Sequence, residues 1–191
     1  MKKILIAVLS LILLISSCGK KKPQYTSDVY PSELLTQENI APYLDYAPEM
    51  TEERSRRVSV AEYKSNPVGQ GYPVVVKVYQ KNGLQSAEKV KEYYDECKKM
   101  RSDAFDAELN ADDSFIAYPA IHYYIDGYHV EITAGGGSDD LQKALLINLA
   151  AVSIDNFTAL TGISANQSAQ SPEESSLQVD SGTDDSPENG N

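Results

Sequence analysis

The chain has 191 residues, 41% of them hydrophobic, and its 28 acidic and 17 basic residues give a net charge of −11 at pH 7. This acidic excess argues against a nucleic-acid-binding protein, which needs a basic surface to neutralise phosphates. It also disfavours the adsorption of a whole face of the protein to anionic lipid.

The first 17 residues have the features of a secretory signal peptide. Lys2 and Lys3 precede an apolar run over 4–15, which is shorter than the ~20 residues that a membrane-spanning helix needs. The sequence LISSC, ending at Cys18, resembles the lipobox of bacterial lipoproteins. That resemblance implies that Cys18 receives a diacylglycerol and becomes the mature N-terminus. The alternative is an ordinary signal peptide with an incidental cysteine.

A lipidated Cys18 would hold the protein on the extracytoplasmic face of a cell membrane, because two acyl chains anchor stably. Residues 18–30 are then a lipidated N-terminus and linker, whose Lys20, Lys21 and Lys22 would be attracted to anionic headgroups. Loss of Lys2 and Lys3 with the signal peptide would change the net charge from −11 to −13. The sequence leaves open which membrane this is.

The C-terminal residues 164–191 are predicted to be a disordered acidic tail. They contain six acidic residues and no basic or aromatic ones. Such a composition cannot bury enough apolar surface to offset the backbone entropy lost on ordering.

Between these ends, hydrophobic periodicity predicts three helices and five strands. Thr36 and Ser86 are suited to cap the first two helices, Asp139 with Gln142 the third, and Gly162 to end it. In chain order the predicted elements are a helix over 34–44, strands over 58–63 and 73–79, a helix over 86–101, strands over 115–118, 120–126 and 128–134, and a helix over 139–160.

This order predicts one α+β domain over 31–163, with a mostly antiparallel sheet of about five strands, two long helices and a short N-terminal helix. Pro119, between two strands, is expected at a sheet edge or a bulge. The segments LLTQENIAPYL, VVVKVY, SAEKVKEYYDECKKM and FIAYPAIHYYIDGYHVEITAG, with the closing helix, resemble small bacterial surface lipoproteins of unknown function. That resemblance implies a PsbP-like α/β/α sandwich and brings no catalytic residues.

The stretch IHYYIDGYHVEIT over 121–133 is predicted to be a β-hairpin that turns at Asp126-Gly127. A two-residue type I′ turn would set Ile125 opposite Tyr128 and His122 opposite Glu131. Strict alternation then makes one face apolar and places the polar side chains on the other. The polar face holds His122, Tyr124, His129, Glu131 and Thr133.

This polar face is the strongest candidate site in the sequence, and it has two readings. A solvated outer face is usual for an antiparallel sheet, and it needs no chemistry. The alternative is a weak metal or acid-base site formed by His122, His129 and Glu131, although the diagonal spacing of the histidines, ~7–8 Å, fits a tetrahedral metal poorly. A cover over this face would change the role of these residues.

Other motifs point to no reaction. Gly135-Gly136-Gly137 precedes a helix but lacks the lysine and the spacing of phosphate-binding loops, and nucleophile elbows and paired C-x-x-C motifs are absent from the sequence. Cys97 is left as a lone thiol on the apolar stripe of a helix. Among the 13 tyrosines, Tyr118 and Tyr124 are the candidate contacts for a peptide, a glycan or a partner protein.

The sequence therefore predicts a membrane-anchored lipoprotein that acts as a non-catalytic binding or envelope-interaction module, without a cofactor. The alternatives are a surface metal-binding protein or hydrolase that uses the histidine face, and a carrier of a small hydrophobic molecule between the closing helix and the sheet.

Overall fold

A computed structural model of the chain describes residues 25–44, 47–65, 72–84, 86–135 and 140–164. The predicted signal peptide, the lipobox with Cys18, and the tail from residue 165 onward lie outside these ranges. Asp139 and two glycines of the predicted glycine loop also lie outside them.

The described residues form four α-helices, a short 3₁₀ turn and seven strands. In chain order they are α1 (Pro31–Leu34), α2 (Gln37–Ile40), the 3₁₀ turn (Ala41–Tyr43), β1 (Pro48–Glu53), β2 (Val58–Ser65), β3 (Val74–Tyr79), α3 (Ala87–Met100), β4 (Phe105–Asp106), β5 (Asp113–Ala117), β6 (Ala120–Ile125), β7 (Tyr128–Ala134) and α4 (Asp140–Thr161).

All seven strands belong to one antiparallel sheet, in the order β1-β2-β3-β7-β6-β5-β4. The β3–β7 pair joins an N-terminal group of three strands to a C-terminal group of four. This confirms the α+β class and the antiparallel sheet, whereas the expected number of about five strands is wrong.

Both strands that the sequence reading missed lie at the sheet edges. β1 has the sequence PEMTEE, in which glutamates and a proline replace the β-branched residues that mark a strand. An edge strand tolerates them because one side of its backbone is unpaired, and charge there discourages pairing with another chain. β4 has only two residues, Phe105 and Asp106, too few for a periodic signal.

The predicted single helix over 34–44 is also wrong. The chain makes two separate helical turns, because Leu35 and Thr36 are extended between them. Thr36 does cap the second turn, and its hydroxyl accepts a hydrogen bond from the Asn39 N–H at 3.1 Å. Ser86 caps α3 in the same way, accepting from the Lys89 N–H at 3.2 Å.

Pro119 lies neither at a sheet edge nor in a bulge. It forms the two-residue turn between β5 and β6, with a cis Tyr118–Pro119 peptide bond, and the strands pair up to its two sides as Ala117 with Ala120. Proline fits this position because a residue in the turn does not have to donate a backbone hydrogen bond to a neighbouring strand.

One face of the sheet, the inner face, packs against α1 and α4 and contains most of the core. Alternation along the central strands supplies its apolar side chains. The buried residues of the inner face on β3, β7 and β6 are Val74, Val76, Val78, Tyr128, Val130, Ile132, Ile121, Tyr123 and Ile125.

α4 ends as expected, at Gly162, which has a φ of 70° and donates its N–H to the Thr158 carbonyl at 2.8 Å. Its apolar coverage is narrower than predicted, since Leu141 is 82% exposed. Within the described ranges, α4 is the one helix long and apolar enough to cross a membrane, a test that core helices also pass. Its buried side packs on the sheet through Leu146, Leu149, Ala150, Ser153, Ile154 and Phe157.

Candidate functional site

The hairpin over 121–133 has the predicted register. Ile125 pairs with Tyr128, and His122 pairs with Glu131. Asp126 and Gly127 both have positive φ values, 46° and 85°, as a type I′ turn requires. The side chains of His122 and His129 therefore share the outer face, the side of the sheet opposite α4.

This outer face is not solvated at the histidines, so the first reading of the sequence is wrong there. α3 lies over β7 and covers it. His122 is 5% exposed and His129 is fully buried. The sequence predicted the apolar stripe of α3 but carried no signal for where that stripe would pack.

The two imidazoles are in direct contact. Nδ1 of His122 and Nε2 of His129 lie 3.1 Å apart, within hydrogen-bond distance. This contact is closer than the diagonal spacing of the two positions suggested, because both side chains lean toward each other over the strand pair.

Aromatic rings enclose the pair on several sides. His122 stacks on Phe115 with ring centroids 4.5 Å apart, and His129 stacks on Tyr79 at 4.6 Å. From α3, Tyr94 meets His129 edge-on at 5.2 Å. We call these five rings, from His122, His129, Phe115, Tyr79 and Tyr94, the aromatic layer.

In each histidine, the ring nitrogen that takes no part in this contact, here called the outer nitrogen, has no hydrogen-bond partner among the described residues. Nε2 of His122 and Nδ1 of His129 are buried and make no hydrogen bond within the described structure. Burial lowers the pKa of His122 to about 4, although the Glu131 charge opposes this, and burial lowers the pKa of His129 well below its usual value. Both rings are therefore neutral at pH 7.

Glu131 does not complete a site with the histidines. Its carboxylate accepts hydrogen bonds from Lys77 Nζ at 2.7 Å and from the Tyr79 hydroxyl at 3.3 Å. In the part of the chain that the structure describes, His, Cys, Asp and Glu side chains form no group of three or more that could hold a metal ion. The three residues singled out from the sequence thus separate into a histidine pair and an ion pair.

The two tyrosines predicted as binding residues have different surroundings. Tyr124 lies under the start of α3, half-buried, with its hydroxyl donating to the Ala87 carbonyl at 3.2 Å. Tyr118 is partly buried in the β5–β6 turn, where its ring lies 5.9 Å from Phe105. Both tyrosines are therefore partly buried, Tyr124 under α3 and Tyr118 against the main apolar core.

Cys97 faces the same side of α3 as Tyr94 and is half-buried. Partial burial raises the pKa of its thiol, although a hydrogen bond with Tyr93 opposes the shift. The raised pKa reduces the thiolate fraction at neutral pH, and with it the reactivity that a free cysteine would have.

A second cluster of polar side chains lies where the strands turn beside Asp126. Lys81 Nζ donates to the Asp126 carboxylate at 2.9 Å, and both side chains are less than 10% exposed. Asp126 also accepts from the Tyr25 N–H at 3.1 Å. The sequence carries no local signal for this cluster, because its members come from three distant segments.

Gln80 ties the first described segment to the sheet. Its buried side chain accepts from the Val29 N–H at 3.2 Å and donates to the Val29 carbonyl. Its own N–H donates to the Arg57 carbonyl at 2.8 Å. One glutamine thus links the incoming chain, the end of β3 and the β1–β2 turn.

Fold and site together define an α+β domain with an antiparallel sheet, helices on both faces, and an enclosed aromatic layer under one of them. No family model matches the chain, and neither a curated protein nor a solved structure is significantly similar to it.

Proposed function

We propose that the protein is a bacterial lipoprotein, anchored through Cys18 on the extracytoplasmic face of a membrane, whose domain is a non-catalytic binding module for an envelope protein, peptide or glycan. The observation that carries the non-catalytic part is the enclosure of the histidines. The side chains best suited to acid-base work are neutral, buried and covered by α3.

The anchor rests on the sequence LISSC after an apolar core of the right length. A short tether is compatible with the contacts of Tyr25 at the β6–β7 turn. Tyr25, only seven residues after Cys18, already hydrogen-bonds Asp126. A PsbP-like arrangement of this sheet is part of the same proposal, supported by the order of elements.

Membrane fractionation tests the anchor. Cys18→Ser should move the protein from the membrane fraction to the soluble fraction, because the acyl attachment atom is lost. Cys97→Ser is the matched control, since it removes the other cysteine of the chain and should leave the protein in the membrane fraction. A Cys18→Ser protein that remains on the membrane would contradict the lipobox.

A metal-binding protein is the second candidate, favoured by the two orphan imidazole nitrogens. Elemental analysis of the purified full chain separates the two functions. We expect neither zinc nor copper in stoichiometric amounts, because the inner nitrogens bond to each other and Glu131 is held by Lys77. Bound metal that disappears in a His122→Gln/His129→Gln variant would favour the second candidate. Packing of α4 directly on the sheet leaves the hydrophobe carrier without a supporting observation.

A further inference from the structure

We infer that one end of the sheet faces the membrane and that Arg56 and Arg57 in its β1–β2 turn contact anionic phospholipid headgroups. This inference rests on the proposed lipid anchor, and it adds the orientation of the domain and the residues that meet the lipid.

The end in question, which we call the turn end, gathers the β1–β2 turn (54–57), the loop after β3 (80–84) and the β6–β7 turn (126–127). Two contacts hold these together: the Gln80 N–H on the Arg57 carbonyl at 2.8 Å and Lys81 on Asp126 at 2.9 Å. A side chain at Gly83 would overlap the Arg56 carbonyl, which shows how closely the loop approaches the turn.

The chain reaches the domain at this same end. Tyr25 bonds to Asp126, the Ser27 carbonyl accepts from the Tyr128 hydroxyl, and Val29 is held by Gln80. Tyr25 is the seventh residue after Cys18, and a fully extended chain of seven residues spans at most roughly 25 Å. A lipid on Cys18 would therefore keep the turn end close to the bilayer surface.

The three arginines of the β1–β2 turn differ in whether they have an ion-pair partner. Arg54 pairs with Glu52 at 2.7 Å and stacks over the ring of Tyr30 at 3.9 Å. Arg56 and Arg57 are exposed, and neither makes an ion pair with a carboxylate of the described chain. Two arginines that are adjacent in sequence are thus free for an outside anion, and guanidinium matches phosphate in bidentate geometry.

Two carboxylates at the turn end are paired with a cation, and a third is bonded to a neutral amide. Asp126 is paired with Lys81, Glu52 with Arg54, and Asp28 accepts from Asn82 at 3.2 Å. Glu53 is the exposed acid next to the turn. Asp112 accepts from the Asp126 N–H at 2.9 Å and so lies at the β6–β7 turn, which β3 separates from the β1–β2 turn in the sheet order. In a chain that is strongly acidic as a whole, contact with anionic lipid is therefore confined to the β1–β2 turn.

The four arginines of the chain provide the test, because three lie in this turn and the fourth, Arg101, follows the far end of α3. α3 begins against the β6–β7 turn, where a Cβ on Gly127 would meet Ala87, and its 14 residues extend for about 20 Å. Arg101 is exposed and is the internal control.

The full-length lipidated protein is reconstituted on vesicles of phosphatidylcholine alone and on vesicles that also contain phosphatidylglycerol. Phenylglyoxal then modifies accessible arginines, and mass spectrometry gives the rate at each position. We expect modification of Arg56 and Arg57 to slow by roughly threefold or more on the anionic vesicles, with Arg101 unchanged and high salt reversing the effect.

Equal rates at Arg56 and Arg57 on both kinds of vesicle would overturn the inference and leave the anchor intact. Equal slowing at all four arginines would also overturn it, because the domain would then have no preferred orientation. Flotation with the neutral vesicles reports on the anchor separately. Protein that fails to float has no anchor, and the inference falls with the proposed function.

Discussion

Nδ1 of His122 and Nε2 of His129 share a single hydrogen bond of 3.1 Å beneath α3. In a neutral pair one ring donates the proton and the other accepts it. Whichever ring donates, the two outer nitrogens are then one orphan donor and one orphan acceptor, both buried. The pair is therefore satisfied on its inner side only, and the neutral state depends on the surrounding rings excluding water.

Acid should destabilise the protein through this pair. The folded pKa of His122, about 4, lies below the 6.5 of an unfolded histidine. Below pH 6.5 the unfolded state therefore binds protons that the folded state refuses, and stability falls until the pH reaches the folded value. Between about pH 7.5 and pH 5, His122 should reduce the free energy of unfolding by roughly 1–3 kcal/mol, and His129 acts in the same direction.

Urea unfolding at the two pH values measures this loss, with His122→Gln/His129→Gln as the control. Two glutamines can bond to each other across the strands without titrating. Because the many carboxylates of the chain titrate in both proteins, the difference between them isolates the histidines. An equal loss of stability in both proteins would show that the folded pair takes up protons as readily as unfolded histidines do, and would contradict the lowered pKa values.

Tyr123 and Ser153 form a buried hydroxyl pair between β6 and α4, with their oxygens 2.6 Å apart. Ser153→Ala should cost about 1–3 kcal/mol, because the Tyr123 hydroxyl is left without a partner. Tyr123→Phe should cost less, since a helical serine can bond a carbonyl of the preceding turn. In thermal or urea unfolding, the double variant should cost less than the sum of the two, and strict additivity would mean that the contact contributes nothing.

Gly127 and Gly162 allow backbone strain to be separated from close packing. Both have positive φ values, 85° and 70°. A Cβ at Gly127 would lie 2.7 Å from the Ala87 Cβ, whereas a Cβ at Gly162 meets nothing within 4 Å. Gly162→Ala should cost about 1–2 kcal/mol from the backbone alone, and Gly127→Ala should cost more in unfolding experiments because it also displaces the start of α3. Equal costs would contradict this packing.

Gln80→Met should loosen the first described segment. It keeps the side-chain length but leaves the Val29 N–H and carbonyl without their partner, at a cost of about 1–3 kcal/mol. Amide hydrogen exchange over 25–30 should accelerate. Asn82→Ala is the control, because Asn82 bonds the Thr26 carbonyl from an exposed position and should change exchange much less. Unchanged exchange in Gln80→Met would mean that other contacts hold the segment.

The register of the hairpin was predictable because it follows from local rules. Asp-Gly selects a two-residue turn, and a period of two then assigns every side chain of 121–133 to a face. The cap at Ser86 and the stop at Gly162 are local in the same sense. β1 was not predictable because its glutamates are tolerated only at the edge of a sheet, and edge position is a property of the whole fold.

What covers the histidines was beyond the sequence for a similar reason. The stripe with Val90 and Tyr94 on α3 indicates a buried side, and the hairpin indicates a polar side, but pairing the two requires the path of the chain over the sheet. The contact of Tyr94 with His129 spans 35 positions by number, and periodicity within one element carries no information about it. The division of Glu131 from the histidines depends likewise on Lys77, from another strand.

The sheet separates two buried regions of unequal size. Behind the inner face lies a large continuous apolar cluster, whereas the buried apolar cluster that the described residues form under α3 consists of Tyr94, Phe115 and Ala117. Detachment of α3 would lose few apolar contacts and would let water hydrogen-bond to the two unpaired histidine nitrogens, while the apolar core on the inner face stays packed. The local opening that costs the least free energy is therefore the detachment of α3 from its side of the sheet. This opening exposes the imidazoles of His122 and His129 before the whole protein unfolds.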